Sequence, residues 1–337
     1  MKALFIGGTG IISTAVSRLA VERGIELTLV TRGHNDEFFP AGARRLIADA
    51  RDPVGMRRAL GTETFDVVVN WIVFTPDQLA ADIPLYAGRT SQYIFISSAS
   101  AYQKPPTHFP ITESTPLANP YWQYSRDKIA CEQMLMRAFH EKGFPFTVVR
   151  PSHTYGLTQI PAAVASWEHP WTIVDRMRRG KQIIVPGDGT SLWTVTHNTD
   201  LAKGFVGLMG NVHAIGHAVH ITSDEVLTWN QITRTIGAAA GTEPDIIHIA
   251  SDFIAACSPE DGSGLIGDKA CCGVFDNAKI KSLVPGYVAT VPFSEGIRRT
   301  IQWFENHPER RTIDDAHNAL ADRIIAAYRK GLDEAQR

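Results

Sequence analysis

The stretch Lys2-Ala3-Leu4-Phe5-Ile6-Gly7-Gly8-Thr9-Gly10-Ile11-Ile12-Ser13 decides the fold. Its first five residues form a short, mostly apolar run, the pattern of a parallel strand buried on both faces. Glycine ends the run. Residues 13–23 then read as an amphipathic helix, with Gly24 placed to cap its C-terminus. A strand, a glycine-rich turn and a helix in that order make a site for a dinucleotide pyrophosphate. Gly7 permits the tight bend, and Gly10 lets the backbone come close to the anion. The helix N-terminus adds free N–H groups and partial positive charge. Thr9, Ile11 and Ile12 lie in the same loop and are expected cofactor contacts. Ser13 stands where a third glycine is usual and is small enough for close helix–strand packing.

The alternation continues outward. Strands are predicted at 26–31, 65–72, 93–97 and 144–150, and helices at 53–60, 77–87 and 121–142. Such a βαβαβ series implies a parallel sheet with right-handed crossovers. The fold class expected is α/β, a Rossmann-type doubly wound parallel sheet with a smaller C-terminal substrate domain. After Pro151 the texture turns to Gly, Pro and Trp, which places the boundary near residue 155. Residues 1–155 form the expected dinucleotide-binding domain and 156–337 the substrate-binding domain. Segments 182–185 and 218–222 are candidates to return to the main sheet. Helices are read at 227–240 and 294–306. In the tail, Ala319, Leu320, Ile324, Ile325 and Tyr328 recur at helical spacing, either packing on the body or meeting a second subunit.

The 337 residues carry a formal net charge of -2, so no global field draws the chain to nucleic acid or anionic lipid. No apolar run reaches the roughly 20 residues needed to span a bilayer, and the N-terminal run is too short for a signal peptide. The four cysteines, Cys131, Cys257, Cys271 and Cys272, match no zinc or CxxC spacing, so no metal is expected. The expectation is a cytoplasmic protein with free thiols, a small-molecule substrate, and neither membrane nor nucleic-acid partners.

The tip of the second strand bears on the cofactor. An acid there would hold the adenosine ribose and favour NAD. Thr31 occupies the position and Arg32 follows, which leans toward NADP because a guanidinium pairs with a 2′-phosphate. Asp36 and Glu37 would repel that phosphate. Asp49, followed by Ala50, is placed to reach adenine.

In Tyr124-Ser125-Arg126-Asp127-Lys128 the tyrosine and lysine stand four apart on a helix and share a face. A neighbouring ammonium and an oxidised nicotinamide, both cationic, would favour the phenolate and make Tyr124 an acid–base group. Upstream, Phe95-Ile96-Ser97-Ser98-Ala99-Ser100-Ala101-Tyr102 ends a strand in hydroxyls, one of which would orient a reacting oxygen.

The motifs GGTGIIS, FISSASAY, YSRDK, RPSHTYG and GDGTSLWTVTHNTD together resemble the extended short-chain dehydrogenase/reductase family, the NAD-dependent epimerase/dehydratase group. The resemblance implies Ser98 as the active-site hydroxyl, four residues before Tyr102, with Ser100 as the alternative. It implies Tyr124 as acid/base, Lys128 also on the nicotinamide ribose, and Pro151 and His153 against the nicotinamide. It further implies a homodimer paired through two long helices. The dehydratases of that family carry an Asp-Glu pair where Ala99 and Ser100 stand here, so an epimerase or keto-reductase fits better. His153 and Trp193 replace an Asn and an Arg directed at a nucleotide diphosphate. Arg176, Arg178, Arg179 or Lys181 would have to supply that charge, or the substrate is a smaller sugar-like molecule. Ser100, Tyr102, His153 and Trp193 are the candidate substrate contacts, and Trp171 either lines a pocket or fills core. The chain also resembles atypical members related to chloroplast RNA-binding proteins, which share Thr31-Arg32-Gly33. That leaves a non-catalytic cofactor-sensing or RNA-binding module as the rival reading.

Overall fold

The computed structural model describes residues 1–33 and 37–337. Asp36 lies outside the described residues. The first half runs β1 (Lys2–Ile6), α1 (Ser13–Glu22), β2 (Glu26–Thr31), β3 (Arg44–Ile47), α2 (Pro53–Leu60), β4 (Phe65–Asn70), α3 (Pro76–Tyr86), β5 (Thr90–Ile96), α4 (Gln123–Lys142) and β6 (Phe146–Pro151). The second half adds β7 (His153–Tyr155), α5 (Thr172–Arg178), β8 (Ile183–Pro186), β9 (Leu192–Trp193), β10 (Val195–His197), α6 (Asn198–Leu208) and β11 (Ala218–Ile221). It closes with β12 (Leu227–Thr228), α7 (Trp229–Ala239), β13 (Ile246–Ile249), α8 (Ser251–Cys257), α9 (Pro259–Gly264), α10 (Ala278–Leu283), α11 (Phe293–Asn306) and α12 (Asp315–Ala335).

Seven parallel strands form the central sheet in the order β11-β6-β5-β4-β1-β2-β3. The order reverses between β1 and β4, and ligands of such sheets bind beyond the strand C-termini at that reversal. The sheet is buried on both faces. Val16 and Ala20 of α1 and Leu201, Phe205 and Leu208 of α6 cover one side. Met56 of α2, Leu79 and Leu85 of α3, and Cys131 and Leu135 of α4 cover the other.

Of the two late segments, Ala218–Ile221 joins the main sheet against β6, whereas Ile183–Pro186 pairs with β13 in a separate two-stranded sheet. The segment at 227–240 is not one helix. Thr228 caps α7 through its hydroxyl and the Gln231 side chain reaches back, so β12 ends where the helix begins. The apolar stripe of the tail is taken up within the chain. Ala321, Ile324 and Ile325 pack on Ile184, Ile249, Ile254 and Leu265. No helix among the described residues is long and apolar enough to cross a membrane.

Candidate active site

At the sheet reversal, a cavity of about 850 Å³ runs from the glycine turn past the end of β5 to the segment around residue 268. Its first wall is the turn between β1 and α1. Gly7 and Gly8 hold φ of +85° and +123°. A Cβ on Gly8 would stand 2.8 Å from Leu29 Cδ2, so only glycine lets the loop lie this close to the sheet. Gly8, absent from the candidates read in the sequence, is therefore more constrained than Gly10, which has no positive φ and only ordinary contact with Ser13. Among the described residues, the backbone N–H groups of Thr9, Ile11 and Ile12 have no hydrogen-bond acceptor. Asn198 Nδ2 ties the Ile11 carbonyl at 2.7 Å, anchoring the loop from α6. An anion-accepting cradle with free donors is what a pyrophosphate requires, so these residues fit a nicotinamide dinucleotide.

A second cavity of about 360 Å³ adjoins the first at Gly7, Thr9, Ile72 and Phe74. Thr31, Arg32, Asp49, Ala50 and Arg51 line it. The structure thus gathers the expected adenosine contacts in one place and adds Arg51. Ile72 and Phe74 are exposed there, apolar surfaces available to a flat ring.

Ser98, Ser100, Tyr124 and Lys128 all meet in the larger cavity. Ser98 lies close enough to the Tyr124 phenol to favour its ionised form. Its Oγ stands 2.9 Å from that of Ser100, and the Ser125 hydroxyl donates to Ser100 at 2.7 Å. Lys128 is almost wholly buried, its Nζ donating to the carbonyls of Val73 and Ile96 at 2.7 Å each. It lies 5.6 Å from the Tyr124 ring centroid.

Without a nicotinamide cation beside it, burial governs the phenol. Burial pushes Tyr124 up to about 12, partly opposed by Ser98, and the Asp268 charge adds to the rise. Burial equally pushes Lys128 down to about 8. The phenol is thus held protonated, as a proton donor.

Two proposed substrate contacts are elsewhere. Tyr102 is fully buried, its hydroxyl 2.9 Å from His220 Nδ1 and its ring against Arg150, because the 3₁₀ turn Ala99–Ala101 directs it inward. Trp193 is also core. It packs on Trp229 and donates Nε1 to the carbonyls of Lys269 and Cys271 at 3.1 and 2.9 Å. Trp171 fills core beside Phe304. His197 bonds Thr199 Oγ1 at 2.7 Å within the scaffold. Arg176, Arg178, Arg179 and Lys181 are in ion pairs with Asp322, Glu305, Asp175 and Asp322 and do not line the cavity.

His153 and Pro151 do line it. The His153 Nε2 is buried without a hydrogen-bond partner among the described residues, and burial holds the ring neutral, at about 3. The far wall comes from a segment the sequence did not single out. A π-helical turn, Leu265–Lys269, brings Asp268 and Lys269 into the cavity. Gly267 allows this approach, since a Cβ there would lie 2.9 Å from Trp122 Cβ.

Residues 82–222 match the family described as NAD dependent epimerase/dehydratase. Over those residues the chain is similar to an NAD-dependent epimerase/dehydratase domain. That match takes in Ser98, Tyr124 and Lys128 on their strand end and helix. The chain is 24% identical over 287 residues to the 2′-dehydrokanamycin reductase of Streptomyces kanamyceticus, covering 85% of this chain and 80% of that protein. It is 28% identical over 262 residues to the chloroplast stem-loop binding protein of 41 kDa b of Arabidopsis thaliana, covering 73% and 65%. In fold, it resembles an epimerase from Methanothermobacter thermautotrophicus (TM-score 0.76, 16% identity, 92% and 94% covered). The Thermus thermophilus UDP-glucose 4-epimerase, solved with NAD, gives a TM-score of 0.69 at 20% identity, with 90% and 99% covered.

Proposed function

We propose that the protein is an NADP(H)-dependent ketone reductase acting on a sugar-like substrate. The observation that carries this reading is the gathering of Ser98, Tyr124 and Lys128 in the same cavity as the glycine cradle. A bound nicotinamide would supply hydride to a carbonyl carbon. Ser98 would hydrogen-bond the carbonyl oxygen and orient it. Tyr124 would donate its proton to that oxygen as negative charge develops there. Lys128, charged below about pH 8 and held by two carbonyls, would steady the donor electrostatically. The cofactor contacts would be the turn from Gly7 to Ile12, Arg32 and Arg51 at the adenosine end, and Lys128, Pro151 and His153 toward the nicotinamide. Ala99 and Ser100 offer no acid pair to drive loss of water, so dehydration is disfavoured.

The test is a screen of keto-sugars and keto-glycosides with NADPH, following its absorbance. Tyr124→Phe should lose turnover by about a hundredfold or more while binding NADPH as tightly as wild type. Turnover unaffected by that substitution would remove the reading. A redox-neutral epimerase is the second reading, favoured by the UDP-glucose 4-epimerase structures that share the fold. Cofactor that stays bound through purification would support it.

A further inference from the structure

We propose that Lys269, with the His153 imidazole beside it, forms an oxyanion subsite that selects substrates bearing a single carboxylate or phosphate group. The inference rests on the reading above only in taking the large cavity as the substrate's.

Lys269 is half-buried, lines the cavity, and its ammonium makes no hydrogen bond or ion pair among the described residues. An ammonium so placed has lost much of its water without a direct partner in exchange, and burial lowers its pKa. The His153 ring packs on Trp193 and Trp229, 6.4 Å from each, and both indoles hold the Lys269 carbonyl, so the two residues share one wall. His153 brings the buried, unpartnered Nε2. The backbone beneath Lys269 is held firmly. Its carbonyl accepts from the indole N–H of both Trp193 and Trp229, at 3.1 and 3.0 Å. Trp193 thus acts from behind, fixing where Lys269 stands.

The charges around it favour an anion. Lys104, 5% exposed, is paired with Asp268 at 3.0 Å, and the two act on Lys269 in opposite senses, Asp268 the more strongly. Lys128 is turned to the carbonyls of Val73 and Ile96. Glu260 and Asp261 line the cavity too, but both are exposed at its rim, where water screens them. The inner part therefore holds one ammonium with no hydrogen-bond or ion-pair partner among the described residues; burial lowers its pKa, and the charges of Asp268 and Asp261 partly offset that. One ammonium suits one oxyanion. A nucleoside diphosphate would need more, and the arginines that could have added charge are committed elsewhere.

The experiment measures binding to the NADPH-loaded protein by calorimetry at matched ionic strength. The probes are glucuronate, glucose 6-phosphate, UDP-glucose and neutral glucose. The expected result is that glucuronate or glucose 6-phosphate binds about tenfold to a hundredfold more tightly than glucose, with UDP-glucose no tighter. The tighter of the two anions identifies the group. Lys269→Gln should abolish the preference, and Lys269→Arg should restore most of it. NADPH binding and thermal unfolding report whether each variant is folded. Equal binding of anion and glucose, no measurable binding of either glucuronate or glucose 6-phosphate, tighter binding of UDP-glucose, or a preference that survives in Lys269→Gln would each overturn the proposal. Tyr124→Phe should keep the preference, so failure of the reductase reading would show separately, as turnover indifferent to Tyr124.

Discussion

Ser125 Oγ donates to Ser100 Oγ across 2.7 Å, joining the residue next to the proton donor on α4 to the hydroxyl two places beyond Ser98. Ser98, Ser100 and Ser125 form a chain of hydroxyls whose Ser98 end lies beside the Tyr124 phenol. Ser125 is fully buried, and Asn119 secures the Ser100 carbonyl at 2.8 Å. Ser125 touches no substrate, so its role is to position Ser98. Ser98→Ala should lower kcat by about a hundredfold. Ser125→Ala should lower it by about tenfold, within the effect expected from losing one hydrogen bond. KM and NADPH affinity should barely move, and Ser125→Thr should recover part of the rate. Steady-state kinetics check this. A Ser125→Ala enzyme that loses stability but not kcat would leave the chain a structural feature only.

Lys128 makes the pH dependence predictable. Its folded pKa of about 8 lies below the ordinary lysine value of 10.5, because burial disfavours the ammonium. Reduction should therefore slow as pH rises through about 8, when the charge beside the donor is lost. Stability should move the other way. Between about 8 and 10.5 the unfolded chain binds the proton more readily than the folded one, so stability rises with pH across that window. Lys128→Met should remove both effects. The check is a pH–rate profile, with unfolding read as the difference between wild type and Lys128→Met, since buried Tyr124 and Cys131 titrate above their usual values in the opposite sense.

What the sequence made legible follows its physics. The turn from Gly7 to Ser13 and the Tyr124–Lys128 pair are local patterns, and the structure brings both to one cavity. Helix α6 was missed because Gly204 and Gly207 weaken its helical signal. Both are required by packing, where added Cβ atoms would meet Ile221 at 2.9 Å and Val284 at 2.3 Å. Strand β3 was missed because its two arginines break the apolar run at the sheet edge. Asp268 and Lys269 could not have been found by spacing, for they lie 140 or more positions from Tyr124 and reach it through a π-helical turn. Tyr102 and Trp193 were misplaced for a shared reason. A large aromatic near a motif reads equally well as pocket or as core, and only partners such as His220 and the Lys269 carbonyl decide.

A buried ion pair stiffens the strand that leads to the site. Arg150, at the end of β6, meets Glu132 of α4 at 2.5 Å, and the Ser97 hydroxyl also donates to Glu132. Both charges are under 10% exposed. Removing one partner strands the other away from water, typically at about 3–5 kcal/mol. Glu132→Gln should accordingly be destabilised by about 3 kcal/mol in denaturant unfolding and lose affinity for NADPH, because Pro151 and His153 follow directly on Arg150. Replacing both residues together by Met and Leu should be milder than Glu132→Gln alone. A single substitution with no effect on the unfolding midpoint would show that water reaches the pair.

Arg32 and Arg51 are where the proposed preference for NADP is tested. They face the small cavity from the end of β2 and from the turn after β3, with no acid at Thr31 to hold a ribose diol. A 2′-phosphate there would take a charge-assisted hydrogen bond from each guanidinium. Replacing either arginine by Ala should weaken NADPH binding by about tenfold, and replacing both by about a hundredfold, while NADH binding stays within about threefold. Adding salt should weaken NADPH binding to wild type more steeply than NADH binding, since the extra contact is between exposed charges. Fluorescence titration of both cofactors measures all four effects. Thr31→Asp, which restores an acid at the strand tip, should reverse the preference by repelling the phosphate and binding the diol. Equal loss of NADH and NADPH in the double variant would mean that the arginines hold the loop rather than the phosphate, and the lean toward NADP would fall.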